Sequence, residues 1–197
     1  MGIEIELKFK ATPAQLIQLR QAYAQGGHCY RMQTTYYDTP SEAFSSRHYT
    51  LRCRKENDLH VCTLKTPAGG IGRREWEVEC DSVERALPGL CKLGAPKEIL
   101  EYAREGLIPI CGACFERRAV MIQIQGFTAE LALDEGILTS GDRQIPLCEV
   151  EVELKSGSEA ACVAFARALA EKYGLVPENR SKFRRALALY RGEEDGI

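Results

Sequence analysis

Glu4, Glu6 and Lys8 occupy every second position near the N-terminus, separated by Ile5 and Leu7. In a β-strand alternate side chains share a face, so the two carboxylates and the ammonium point one way while Ile3, Ile5, Leu7 and Phe9 point the other. Carboxylates at that spacing can hold a hard divalent cation, and a lysine beside them can meet an anion that the cation also binds. That is the chemistry of a phosphate-handling site. A solvated strand face gives the same alternation without any function, so the assignment depends on whether the pattern recurs.

It recurs on at least five strand-like segments. Arg52 and Arg54 share a face opposite Leu51 and Cys53, and Lys65 ends the next segment beside Thr63. Arg73, Glu75, Glu77 and Glu79 oppose Arg74, Trp76 and Val78; Glu130 and Asp134 oppose Leu131 and Leu133; Glu149, Glu151 and Glu153 oppose Val150, Val152 and Leu154. Rows of like charge on an outer face repel one another. An open sheet could balance the glutamates with the arginine strands. Closing the sheet into a barrel is the more economical solution, with the charges inside and helices over the apolar exterior. Charges so enclosed must be hydrated, paired or met by a ligand. A chain of phosphates with a divalent metal satisfies both signs: carboxylates take the cation, and arginines and lysines take the phosphate oxygens.

The elements that must position these residues follow from local signals. Thr12 and Pro13 open a helix carrying Leu16, Leu19 and Tyr23, which Gly26 and Gly27 end. Strands are expected at 34–38, 49–55, 60–65 and 73–80, with a turn at Asn57 and Asp58 and a mobile loop through Pro67, Gly69, Gly70 and Gly72. A helical insertion spans 82–106, clearest at 97–104, punctuated by Pro88, Gly89 and Pro96. Strands resume at 115–125, 128–134 and 147–155, before an amphipathic helix from Ser158 to about Tyr173 and a last helix over 181–191. Grouped strands with few helices specify an antiparallel α+β fold rather than a doubly wound nucleotide fold.

The chain of 197 residues suits one domain, 1–197, and it ends soon after the last charged segment, so no fused domain is expected. With 45% hydrophobic and 27% charged residues and no long apolar run, it reads as neither a membrane nor a disordered protein. A net charge of −2 gives no reason to expect a nucleic-acid partner, and the absence of a secretory signal makes the cytoplasm the expected compartment. Of the nine cysteines, Cys53, Cys62, Cys80, Cys148 and Cys162, flanked by apolar residues on expected strands and helices, read as small buried thiols. Cys111 and Cys114 form a single C-x-x-C, the pattern of a redox pair or of half a zinc site, with no second C-x-x-C or nearby histidine pair to complete a tetrahedral site. His28 and His48 lie outside every charged segment, no acid–base histidine is expected, and Trp76 reads as outer packing under a helix.

The N-terminal E-x-E-x-K resembles the signature of the CYTH superfamily, the triphosphate tunnel metalloenzymes, and is closest to its bacterial inorganic triphosphatase branch. It is joined in family order by TYYDTP (35–40), LRCRKENDLHVCTLK (51–65), RREWEVE (73–79), ERRAV (116–120), ELALDEG (130–136), CEVEVELKSG (148–157) and SKFRRAL (181–187). The resemblance implies a closed antiparallel β-barrel of about eight strands with a charged interior, flanked by helices. It implies Glu4, Glu6, Glu149, Glu151 and Glu153 as metal-binding carboxylates, with Asp134 as a further acidic lining residue, and Mg²⁺ or Mn²⁺ as the ion. Lys8, Arg52, Arg54, Lys65, Arg73, Lys182 and one of Arg117 and Arg118 would bind triphosphate oxygens; strand parity with Phe115 favours Arg117. Glu149, Glu151 and Lys8 would be the catalytic groups.

The implied reaction is metal-dependent hydrolysis of a small linear triphosphate to diphosphate and phosphate. The same residues would also suit thiamine triphosphate, a nucleoside triphosphate, or cyclisation of ATP, although no nucleoside contacts are identifiable. Outside that class stand a non-catalytic polyphosphate-binding module and a structural barrel with internal salt bridges.

Overall fold

A computed structural model describes residues 5–68 and 73–193. Glu4 of the N-terminal motif, and Gly69, Gly70 and Gly72 of the expected loop, lie outside the described residues. The elements run β1 (Glu6–Lys10), α1 (Pro13–Tyr23), β2 (His28–Asp38), β3 (Thr50–Glu56), β4 (Leu59–Pro67), β5 (Arg73–Glu79), α2 (Val83–Lys92) and α3 (Ile99–Tyr102). There follow β6 (Ile108–Ile124), β7 (Phe127–Ser140), β8 (Arg143–Gly157), α4 (Glu159–Tyr173), β9 (Val176–Pro177) and α5 (Lys182–Arg191). No described helix is long and apolar enough to cross a membrane.

The strands form one nine-stranded antiparallel sheet in the order β5-β4-β3-β2-β6-β7-β8-β1-β9. The expected antiparallel α+β fold is present, but closure into a barrel is not: among the described residues β5 and β9 are edges and do not pair with each other. Alternation fixes which side chains share a face, but closure depends on pairing between sequence-distant edges, which alternation does not encode. The sheet is nevertheless curled: Lys65 on β4 acts electrostatically on Glu6 of β1, which lies six strands further along the sheet order.

Its convex face is apolar. Leu7, Phe9, Leu131, Leu133, Val150 and Val152 pack under α1 and α4. Leu51, Cys53, Cys62, Leu64 and Trp76 pack under α2 and Ile99. α1 starts as its sequence dictates: Thr12 Oγ1 accepts the Gln15 N–H at 3.3 Å, and Gln15 Oε1 accepts the Thr12 N–H at 2.7 Å. α2 is the main helix of the insertion, displacing the expectation that 97–104 would be the clearest. It carries Pro88 in its interior, losing one ladder hydrogen bond, because Val83, Ala86, Leu87 and Leu90 bury one face on the sheet. Gly89 lets the helix approach closely: a Cβ there would stand 3.1 Å from Val78 Cγ1.

The concave face is not ionic throughout. Met32, Tyr36, Phe115 and Leu147 form an apolar stretch on it, covered by Phe183, Ala186 and Leu187 of α5. Tyr36 and Phe183 pack with ring centroids 5.0 Å apart and planes tilted by 45°. This apolar seat has the physical role of docking α5 against the curled sheet, so that its first turn reaches the charges deeper inside. Asp38, at the end of β2, is wholly buried and accepts the Phe44 and Ser45 N–H groups, both at 2.9 Å. It holds the following loop rather than lining the charged face.

Candidate active site

Strand register assembles the charged groups. On β8, Glu149 pairs in register with Asp134 of β7 and Lys10 of β1; Glu151 with Ala132 and Lys8; Glu153 with Glu130 and Glu6. Arg117 of β6 stands opposite Asp134. Two-residue periodicity puts all these side chains on the concave face. Arg118, one residue out of phase, lies against α1 with Leu16 and Arg20.

Asp134, Glu149 and Glu151 each offer a carboxylate oxygen, all within 4.8 Å of one another, and Asp134 and Glu149 have no exposed surface. Three cations close around them. Lys182 Nζ lies 2.8 Å from Asp134 Oδ2 and 2.6 Å from Glu151 Oε1, and also pairs with Glu149 Oε1. Arg117 makes a two-point pair with Asp134 and reaches Glu151 Oε2. Arg185 Nη2 donates to Glu149 Oε2 at 2.6 Å. Lys182 and Arg185 arrive together because residues three apart on a helix share a face, and Ser181 caps that helix by accepting the Arg184 N–H at 3.1 Å.

The cluster separates the acidities of its two glutamates. Burial pushes the Glu149 carboxyl up to about 7, against the lowering effect of Lys182, while neighbouring Glu151 raises it further. Burial would raise Glu151 as well, but Lys182 and Arg117 hold it well below the usual carboxylate range. Lys182 is held well above the usual lysine value: burial opposes its charge, yet Glu151, Asp134 and Glu149 outweigh it. Two adjacent glutamates with opposed shifts are an arrangement suited to acid–base work.

The other expected site residues divide into groups. Lys8 Nζ is 3.7 Å from Glu6 Oε1 on the same strand. Burial, and then Glu151, raise the Glu6 carboxyl, with Lys8, Lys182 and Lys65 acting the other way. Glu153 is drawn aside by Lys155, Nζ to Oε2 at 2.7 Å. A basic wall stands on β3 and β4: Lys65 Nζ is 2.7 Å from Glu75, and Arg52 lies 3.6 Å from both Glu75 and Glu77. Arg54 is buried; its Nε donates to Thr34 Oγ1 at 3.0 Å. Burial, reinforced by Arg52, lowers its guanidinium to about 10. Arg73 is exposed at the mouth, where a cavity of about 430 Å³ is lined by Ser45, His48, Thr50, Arg73, Ser181 and Arg184.

The structure thus gathers Asp134, Glu149, Glu151, Arg117 and Lys182 into one cluster, places Lys8 and Glu6 beside it, and sets Arg52, Arg54 and Lys65 on a second wall. Glu153 and Arg73 stand apart from the cluster. Sequence reasoning missed Arg185, although it lies in the segment SKFRRAL at the helical spacing that puts it beside Lys182. It also missed Glu178, a buried carboxylate between β9 and α5 for which the sequence carries no periodic signal. Cys111 and Cys114 fall within β6, three residues apart and so on opposite faces, with Cys111 buried and Cys114 exposed.

Comparison with known proteins places this geometry. The CYTH domain family matches residues 2–187. An inorganic triphosphatase of Haemophilus influenzae is 28% identical over 193 residues, covering 94% of this chain and 54% of the relative, so the chain spans about half the length of that curated protein. Among solved structures, a Hippeastrum protein described as having a dominant triphosphatase activity shares 19% identity at a TM-score of 0.65, over 98% of this chain and 97% of that one. PH1819 of Pyrococcus horikoshii shares 20% identity at a TM-score of 0.59, over 95% and 99%. At these identities the two structures share the fold.

Proposed function

The chain belongs to the CYTH family, and from that premise we propose that it hydrolyses inorganic triphosphate to diphosphate and phosphate in a divalent-metal-dependent reaction on the concave face of its sheet. One observation carries the reading: a buried cluster of three carboxylates on the same concave face as a basic wall of Arg52, Arg54 and Lys65. Such a pairing of signs suits a polyanion together with its counter-cation. Anion binding alone would not favour so many acidic groups.

The donor set fits a hard cation, since Asp134, Glu149 and Glu151 offer only oxygens within a small sphere, with Glu6 nearby. Mg²⁺ or Mn²⁺ held by them would act as a Lewis acid toward the phosphoryl oxygens. The remaining work falls to the chain itself. Lys8, Arg52, Arg54, Lys65, Arg73, Arg117 and Lys182 would bind and align the phosphate oxygens, bidentately where the residue is arginine. Phosphoryl transfer asks mainly for such alignment and charge stabilisation. Lys8, in register with Glu151, would stabilise charge on the transferred group. Glu149 or Glu151 would orient the attacking water and accept its proton.

The test is a side-by-side turnover assay with inorganic triphosphate, thiamine triphosphate and ATP. The reading expects the highest kcat/KM for inorganic triphosphate. A dominant cyclic product from ATP, or preference for thiamine triphosphate, reassigns the substrate; metal-independent binding without phosphate release supports a non-catalytic module.

A further inference from the structure

Glu149 is gripped at both oxygens, by Lys182 on Oε1 and by Arg185 on Oε2. The two cations differ in what else they touch. Lys182 has ion pairs only with Asp134, Glu149 and Glu151 among the described residues. Arg185 is 5% exposed and turns its second terminal nitrogen toward Glu178, Nη1 to Oε2 at 3.9 Å. Its Nε has no hydrogen-bond partner among the described residues; Glu149 accepts a hydrogen bond from the guanidinium, and Glu178 acts on it at ion-pair distance.

Glu178 is itself fastened. It is 5% exposed, and its N–H donates to the Lys8 carbonyl at 2.9 Å. Its carboxylate accepts from the Arg180 N–H at 2.9 Å and from Arg180 Nε at 3.2 Å, and Lys10 Nζ stands 3.6 Å away. A line of ion pairs therefore runs from β1 through Glu178 and Arg185 to Glu149.

We propose that Arg185, anchored by Glu178, is a positioning residue that fixes the orientation of the Glu149 carboxylate as a ligand for a divalent cation. The proposal rests on the metal-dependent function above. A bare counter-charge at this place and a positioning residue differ in the sign of their effect. Removing a counter-charge strengthens cation binding, because one repelling charge is gone. Removing the group that orients a ligand weakens it, by about 10–100-fold.

The experiment titrates Mn²⁺ alone, without triphosphate, into the metal-free full chain and reads free Mn²⁺ by electron paramagnetic resonance. Positioning predicts affinities in the order wild type, Arg185→Lys, Arg185→Ala, because lysine keeps the charge but cannot span Glu149 and Glu178 together. Circular dichroism confirms that each variant is folded; if Arg185→Ala does not fold, Arg185→Lys carries the test with about tenfold weaker binding expected. Equal or tighter Mn²⁺ binding in a folded variant overturns the proposal, as does a wild type with no saturable Mn²⁺ binding. Triphosphate turnover on the same preparations separates the two readings. Absent turnover with this order of affinities overturns the proposed activity and leaves the positioning role; intact turnover with unchanged affinities does the reverse.

Discussion

Arg117 and Asp134 form a two-point ion pair across neighbouring strands, Nε to Oδ1 at 2.8 Å and Nη2 to Oδ2 at 2.7 Å. The planar fork also reaches Glu151, so one guanidinium fixes two of the three clustered carboxylates. Lysine can supply the charge but not the fork. Arg117→Lys is expected to lower kcat/KM for triphosphate on the order of tenfold, ~1.4 kcal/mol of transition-state stabilisation, with the far-ultraviolet circular dichroism unchanged. Wild-type kinetics in this variant would show that charge alone suffices.

Arg54 presents the opposite case, a buried guanidinium whose one ion-pair partner among the described residues is Glu56 at 3.5 Å, with Arg52 acting against its charge. Replacing an under-compensated buried ion by an apolar side chain of similar length often stabilises a protein. Arg54→Met is expected to raise the stability of the phosphate-free protein by roughly 1 kcal/mol, a Tm increase of about 2–4 °C, while raising KM for triphosphate. A lowered Tm with unchanged KM would contradict both halves.

Glu149 makes stability fall with rising pH over a defined window. Its ordinary value is 4.5 and burial raises it to about 7 in the folded chain. Between those values the unfolded chain has released the proton and the folded chain still holds it, so raising the pH favours unfolding. Its contribution is fully present below about 4.5 and lost as pH rises through about 7. Glu6, also raised by burial, adds to the same trend, whereas Glu151, held low, loses stability only on acidification below the window. Thermal melts of metal-free protein across pH 4.5–7 are expected to show a negative slope that Glu149→Gln flattens. An equal slope in the variant would place the titration elsewhere.

Much of the site was legible because charge and parity coincide on strands. Glu149 and Glu151 alternate with Val150 and Val152, and the register carries that alternation onto Asp134 and Arg117 without further information. Two features were not legible, for physical reasons. The contact of Arg185 with Glu149 joins residues 36 apart and exists only because Phe183, Ala186 and Leu187 seat α5 on the sheet. That β5 and β9 stand as edges among the described residues is a matter of tertiary curvature, whereas the sequence pattern reports only the two faces of each strand. The helix through Pro88 shows packing overriding a local breaker, with Leu87 and Leu90 buried on either side of it.

Cys111 and Cys114 point to opposite faces of β6, and burial pushes the Cys111 thiol up to about 12. A thiol so raised is a poor ligand and a poor nucleophile. Cys114→Ser is expected to leave stability within about 0.5 kcal/mol and to leave divalent-ion dependence unchanged. A loss of activity that tracks this substitution, read by phosphate release, would restore a role for the pair.

Phosphorus-31 magnetic resonance of inorganic triphosphate, incubated with the wild-type chain with and without Mg²⁺, tests the central claim most directly. Diphosphate and phosphate are expected to appear in equal amounts, only with the metal, and to stop appearing when chelator is added. Triphosphate persisting unchanged in the presence of Mg²⁺ and Mn²⁺, or cleaved equally well without either, would contradict a metal-dependent triphosphatase built on Asp134, Glu149 and Glu151.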